Sequence, residues 1–255
     1  MTGSDAPPSF RLAYVPGVTP TKWVRIWHER LPGVPLVLSG VSAAEAPEVV
    51  RGRGADAGLV RLPMDRSGLS AIPLYTETTV VVVPKDHLVA AVEEVSAAEL
   101  ADEVVLHPLD DTLEWERPPG LPAVERPATT ADAVELVAAG VGLLVVPQSL
   151  ARLYHRRDLT YRPVTDAPES RVALSWREDE TTDLVEQFIG IVRGRTVNST
   201  RGRPAPVPED KSKPTAKAKA KSKTTAKSAA RKPAAGKGAR SGSGGAKRGK
   251  PRRRS

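Results

Sequence analysis

TADAVELVAAGVGLLVVPQSLARL, residues Thr130 to Leu153, reads as three elements in immediate succession. A hydroxyl at Thr129 or Thr130 can cap the free N–H groups of a helix that runs through Ala139. Gly142 to Val146 then reads as a strand, and Gln148 to Tyr154 as a second helix. The apolar run Leu136 to Val146 is about half of what a membrane span requires, so this stretch belongs inside a soluble α/β body.

The chain on either side repeats the alternation. Phe10 to Val15 is a short strand, after which Thr19-Pro20 opens a helix: Thr19 caps it and Pro20 takes the first helical position, where its missing N–H is harmless. Trp23, Ile26, Trp27 and Leu31 follow at helical spacing until Pro32-Gly33 ends the run. Pro35 to Val41 is strand-like, and Ser42 with Glu45 forms a capping box for a helix that Arg51-Gly52 closes. Asp56 to Val60 is a third strand. This β-α-β-α-β order predicts a largely parallel sheet covered by helices. Val80 to Val83 is a strand buried on both faces and stopped by Pro84. Ser96 and Glu99 make a second capping box, Val104 to His107 a short strand, and residues 108–128 a Pro-rich irregular stretch. Val172 to Trp176 is another strand. The last helix, about Thr181 to Gly194, buries Leu184, Val185, Phe188, Ile191 and Val192.

Order is expected to stop near Thr196. No large apolar residue follows Val207, so residues 197–255 cannot bury enough surface to offset their ordering entropy. The charge is divided as sharply. From Arg201 to Ser255 there are 19 Lys/Arg against Glu209 and Asp210, a net of +17, which leaves the first 200 residues at −9. An acidic body with a basic tail points to a polyanionic partner for the tail. The chain has no cysteine, which removes disulfides, thiolate nucleophiles and cysteine metal sites. Met1 to Ser9 lacks the apolar core of a secretory signal, and the expectation is a cytoplasmic protein, associated with the nucleoid if the tail binds DNA there, with no membrane partner.

Three segments resemble one family. Val50-Arg51-Gly52 through Gly58-Leu59-Val60 is similar to the turn into the third strand of LysR-type substrate-binding domains. Glu77 to Pro84 with Lys85-Asp86-His87-Leu88 resembles that family's crossover strand and the turn after it. Thr130 to Leu153, followed by Leu174-Ser175-Trp176-Arg177-Glu178-Asp179 and a closing amphipathic helix, resembles its second half. The resemblance covers about residues 10–196 and implies a two-lobed type II periplasmic-binding-protein fold, two Rossmann-like lobes joined by two crossing strands. The crossings are expected near Thr78–Pro84 and Arg171–Trp176. Lobe one would then be about 10–80 plus 177–196, and lobe two about 81–172. LysR regulators carry a winged helix-turn-helix ahead of this domain, whereas nine residues precede the first strand here. Operator recognition is therefore not expected of this body; the expected protein partners are a second copy, as a homodimer, or a separate helix-turn-helix protein. The tail resembles the Ala/Lys/Pro-rich tails of linker histones and bacterial histone-like proteins.

In open α/β sheets ligands lie beyond the carboxyl ends of strands, where helix N-termini present unpaired N–H groups. Thr19 and Thr21 follow the first strand, Ser42 the second, and Thr129 and Thr130 begin the main helix of lobe two. Together they suit a small carboxylate, the effector class that the family commonly senses; singly, each reads first as an ordinary cap. Arg61 follows the third strand and can pair an anion bidentately or stand as a surface arginine. His107 ends a strand of lobe two, as a ligand contact or a structural histidine. In the tail, Lys217, Lys219, Lys221, Lys223, Lys227, Arg231, Lys232, Lys247, Arg248, Arg252, Arg253 and Arg254 are candidates for non-specific contact with the phosphates of DNA or RNA. Catalytic constellations are not found. The four histidines have no metal-ligand spacing, no G-x-S-x-G or phosphate loop occurs, and Asp110 and Asp111 read as an acidic surface. Trp23, Trp27, Trp115 and Trp176 read as packing residues. No catalytic residue, cofactor or metal is expected, although enzymes such as prephenate dehydratases share this fold. The first expectation is an effector-binding protein linked to transcription; the alternative is a nucleoid-associated DNA binder whose body no longer senses anything.

Overall fold

The computed structural model describes residues 8–195. The basic tail, on which the expected disorder and the candidate phosphate-contacting Lys and Arg residues fall, lies outside the described residues. The elements run β1 (Phe10–Tyr14), α1 (Thr21–Arg30), β2 (Leu36–Gly40), α2 (Ala46–Arg51), β3 (Ala57–Leu62), β4 (Leu69–Glu77), β5 (Thr79–Pro84), β6 (Val104–Leu106), β7 (Leu121–Pro122), α3 (Thr130–Ala138), β8 (Leu143–Pro147), α4 (Gln148–Leu153), β9 (Leu159–Pro163), β10 (Ser170–Arg177) and α5 (Asp183–Val192). Short 3₁₀ turns at Leu88–Ala91 and Ala98–Leu100 join β5 to β6.

Two five-stranded sheets result, one per lobe. The first has the order β2-β1-β3-β10-β4, the second β7-β6-β8-β5-β9. Each begins with three parallel strands and receives, as an antiparallel fourth, the strand that has just crossed from the other lobe: β10 against β3 and β4, β5 against β8 and β9. The outward crossing falls at Thr78, between β4 and β5, the first residue of the Thr78–Pro84 stretch expected to cross, while Thr79–Pro84 pairs within the second sheet. The return lies outside its expected stretch. All of β10 pairs within the first sheet, so the chain crosses back at residues 164–169, ahead of the Arg171–Trp176 stretch expected to do so, and lobe one includes Ser170 onward. The two crossings are bonded to each other by Val164 N–H donating to the Thr79 carbonyl at 3.0 Å.

In lobe one the core forms around Phe10, whose ring stacks 4.7 Å from Trp27 and lies 5.2 Å from Phe188. The α1 and α5 stripes thus close on the same strand face, and the Trp27 indole N–H is satisfied by the Val34 carbonyl at 2.9 Å. In lobe two, alternate residues of β5 feed opposite layers. Val80 and Val82 pack under α3 and α4, while Val81 and Val83 pack with Leu100, Val105 and Leu113. Such a strand must be apolar at every position, as its sequence is.

Both expected capping boxes form. The Ser42 hydroxyl donates to Glu45 Oε2 (2.7 Å) and accepts from Glu45 N–H (3.2 Å), and Ser96 with Glu99 repeats the pattern. Thr129, not Thr130, caps α3, accepting from Asp132 N–H at 3.1 Å. The cap proposed for α1 does not form. Pro20 occupies the N-cap position, its carbonyl accepts the first helical bonds, and Thr19 is exposed beside it. Strands β4, β7 and β9 went unpredicted. β4 is an edge strand interrupted by Pro73 and by a bulge opposite Val172/Ala173, both of which hide its alternation.

Candidate functional site

The loop after β1 turns through Pro16 and Gly17 at the mouth of the cleft between the lobes. Gly17 has φ +83°, and a Cβ there would stand inside contact distance of Ser149 Oγ and 3.0 Å from Arg61 Nη2. The turn thus needs glycine twice, for its left-handed backbone and for the approach of α4. Arg61, on β3, is 6% exposed. Its Nη1 donates to Glu77 Oε2 (3.0 Å) and Ser170 Oγ (2.7 Å), and its Nη2 donates to the Pro16 carbonyl (3.1 Å) and Ser149 Oγ (3.1 Å). Ser149, at the start of α4 in lobe two, donates in turn to Glu77 Oε2 at 2.8 Å. Arg61 is therefore neither a surface arginine nor a side chain held open for an anion. It is the centre of a buried network that ties lobe one, the outward crossing and lobe two together, with the charge of Glu77 as its counter-ion.

This latch lies between two spaces. The larger, about 560 Å³, is open and lined by Thr19, Tyr14, Tyr75, Gln148, Arg152 and, of the latch, Pro16, Glu77 and Ser149. Arg152 contributes a guanidinium whose Nε donates to the Tyr161 hydroxyl at 3.3 Å and which is in no ion pair among the described residues. Burial, and the nearby Glu77 carboxylate, push the Tyr75 phenol above its ordinary value. The smaller space, about 50 Å³, is lined by Ser42, Arg61, Asp110, Thr112, Thr130 and Tyr154 among others. Thr130 is buried and donates to Asp110 Oδ1 at 2.9 Å. Two buried polar atoms of this lining, Arg61 Nε and Thr112 Oγ1, have no hydrogen-bond partner. Burial, then the charge of Asp110, raises the Tyr154 hydroxyl.

The expected binding residues therefore divide. Thr19 reaches the larger space; Ser42, Arg61 and Thr130 line the smaller one; Thr21, Thr129 and His107 line neither. His107 instead lies with its Nε2 2.7 Å from Asp111 Oδ2, on a side chain only 6% exposed. Asp111 is thus no part of an acidic surface, and burial pushes its carboxyl above the ordinary value. Asp110, which is exposed, accepts from Thr130 at the cleft, whereas Asp111 faces His107. None of the four tryptophans lines either space. Glu77, Ser149, Ser170, Thr112 and Arg152 carry no sequence signal for the site, and Asp110 reads from the sequence only as acidic surface. Strand–proline–Gln–Ser at 146–149 was read only as a strand followed by a helix, since a serine opening a helix has so many ordinary uses. Among the described residues no group of His, Cys, Asp or Glu is arranged to hold a metal ion, and no helix is long and apolar enough to cross a membrane.

Comparison with known proteins agrees with this architecture. Residues 7–196 match the LysR substrate binding domain. A "Probable hydrogen peroxide-inducible genes activator" of Mycobacterium avium is 35% identical over 144 residues, 53% of this chain and 46% of that protein. The Hca operon transcriptional activator HcaR of Escherichia coli is 25% identical over 205 residues, 76% of this chain and 67% of that one. Between these lies the regulator AlsR of Bacillus subtilis, of which the chain covers 59%, so the chain spans about half to two thirds of these relatives. Among solved structures, the BenM effector binding domain with its effector benzoate superposes with a TM-score of 0.62 at 19% identity, covering 73% of this chain and 91% of that one. A hydrogen-peroxide-bound OxyR of Corynebacterium glutamicum gives 0.60 at 23%, covering 75% and 69%. With the two-sheet topology, the paired crossings and a family match over nearly all described residues, the chain belongs to the LysR substrate-binding domain family.

Proposed function

We propose that the folded body senses a small carboxylate in the larger interlobe space and that the basic tail holds the protein on nucleic acid without reading its sequence. The single observation that carries the sensing role is the Arg61 latch, because a ligand settling beside it touches groups from both lobes at once and so biases their arrangement. The 560 Å³ space is of the size that binds small organic ligands, and it offers Arg152, the Thr19 hydroxyl and two tyrosine rings. These groups suit an aromatic or short aliphatic carboxylate, and BenM, a structural relative, holds benzoate. This chain has no cysteine, so a response to peroxide through a thiol is not open to it.

The test is a thermal-shift series on the full chain with benzoate, salicylate and short aliphatic carboxylates. A ligand at about 100 times its Kd stabilises by about 2.7 kcal/mol, which for a body of this size raises Tm by about 5–11 °C. Arg152→Gln should abolish the shift. For the tail, the 17 Lys/Arg from Lys211 to Ser255 are accompanied by no acid. Neutralising about ten phosphates gives a slope of about −9 in log affinity against log salt. Duplexes of unrelated sequence should bind equally, and truncation after Pro208 should remove the affinity. A flat salt response, or a strong preference for one duplex, refutes the tail's role.

A further inference from the structure

A recess in lobe two stands apart from the cleft: every residue that lines it belongs to that lobe. It forms because α4 ends at Leu153 and the chain turns through residues 154–158 into β9, whose Leu159 pairs with Pro84 at the end of β5. Between this turn and α3 the core of lobe two is incompletely covered. Val82, Val134, Ala151 and Leu159 of that core line the recess, with Tyr154 and Tyr161 packed against them. Covering apolar surface of this kind is favourable. The volume, about 170 Å³, sets the size of what covers it. An apolar cavity of about 150 Å³ takes up one benzene molecule, so this recess admits a single ring of that size with a short substituent.

Charge decides the class. The rim is basic although the body is acidic: residues 152–162 hold four arginines and His155 against Asp158 alone, and Lys85 adjoins them. Arg156 is spent on structure, pairing with Glu135 of α3 and, at 3.1 Å, with Asp158. Lys85 and Arg157 are exposed and in no ion pair among the described residues. Even with Glu135 and Asp86 counted, the rim keeps a surplus of positive charge. The Lys85 backbone N–H donates to the Asp158 carbonyl at 3.1 Å, which fixes that residue at the edge of the recess and leaves its ammonium free to meet an anion. We infer that this recess, lined by Val82, Lys85, Val134, Tyr154, Leu159 and Tyr161, binds a small organic anion that seats one ring among the apolar side chains and sets its charge against Lys85. The recess shares walls with both interlobe spaces. Tyr154 also lines the smaller, and the Tyr161 hydroxyl accepts from Arg152, which lines the larger. An occupant therefore touches side chains that serve the cleft, yet needs no residue of lobe one. The inference stands on lobe two alone and not on the carboxylate reading of the larger space.

Phenylacetate, phenylacetamide and acetate separate the ring from the charge. The ¹⁵N-labelled full chain is titrated with each in the millimolar range suited to such fragments, following the backbone amides of Leu159 and Tyr161 for the recess and of Gly17, Thr19 and Ser149 for the larger space. Phenylacetate should shift the recess signals saturably. Phenylacetamide has the same ring without the charge and should bind about threefold or more weakly, the worth of an exposed charge pair. Acetate should not shift them. Lys85→Met keeps the apolar stem and removes the charge, so it should bring phenylacetate down to the affinity of phenylacetamide, with the response at Gly17, Thr19 and Ser149 unchanged. Equal affinity of phenylacetate and phenylacetamide, or a Lys85→Met variant that binds phenylacetate as tightly as the parent, overturns the inference. Recess shifts with acetate overturn it too, because no ring is then required. If none of the three moves the recess signals, the inference fails, whatever benzoate does in the larger space. Saturable recess shifts by phenylacetate, with no response to any carboxylate at Gly17, Thr19 and Ser149, uphold it and refute the carboxylate reading alone.

Discussion

Replacing Glu77 with Gln isolates the charge of the latch from its shape. The amide oxygen of the new side chain can still accept from Arg61 and Ser149, but the buried guanidinium, on a side chain 5% exposed, then has no counter-ion among its contacts. Removing one member of a buried ion pair costs about 3–5 kcal/mol because the remaining charge is stranded away from water. For a body of 150–250 residues each kcal/mol moves Tm by about 2–4 °C, so Glu77→Gln should lower it by about 6–20 °C. Arg61→Met removes the charge instead and forfeits four hydrogen bonds. The Arg61→Met/Glu77→Gln double variant strands no charge, so its loss should fall short of the sum of the singles by about 2 kcal/mol or more. Urea unfolding followed by tryptophan fluorescence gives these differences from the midpoints, provided the slope stays constant across variants, since Trp27 is fully buried in lobe one. A Glu77→Gln loss below about 1 kcal/mol, or strict additivity in the cycle, would mean that water screens the pair and that the latch does not hold the lobes.

Further outcomes follow from the same geometry. Gly17→Ala forces an L side chain into φ +83° against Ser149, and should cost about 2 kcal/mol or more, read as a Tm loss of about 4–8 °C; an unchanged Tm would show that the loop rearranges freely. Thr129→Ala removes a real cap and should cost about 1 kcal/mol, whereas Thr19→Ala, which removes none, should stay within about 0.5 kcal/mol in the same melt. Burial raises the Asp111 carboxyl, so the folded chain holds that proton more tightly than the unfolded one. Its contribution is full below the ordinary carboxylate value and is lost as pH rises through the folded one. Asp111→Asn should flatten that decline in Tm against pH; a decline that survives must arise elsewhere.

The strands that run through the middle of the second sheet were legible in the sequence because burial on both faces leaves no choice of residue. Val80 to Val83 and Leu143 to Val146 are apolar without interruption, and any fold that contains them must cover both faces. Helix starts were legible for the same local reason: Ser42-x-x-Glu45, Ser96-x-x-Glu99 and Thr129 satisfy backbone donors within three residues of themselves. Edge strands were not. β4, with Pro73 and its bulge, is half covered and owes its conformation to eight partners on β10, about a hundred residues away. The site shows the same division. That ligand groups should gather at Thr19, Ser42, Arg61 and Thr130 follows from strand ends and helix starts, which local sequence sets. Whether Arg61 greets an anion or locks two lobes depends on Glu77, Ser149 and Ser170, residues 16, 88 and 109 positions distant. Only tertiary structure brings a counter-ion that far along the chain to 3.0 Å, and it is that encounter which turned an expected anion hook into a neutralised latch with one N–H left free.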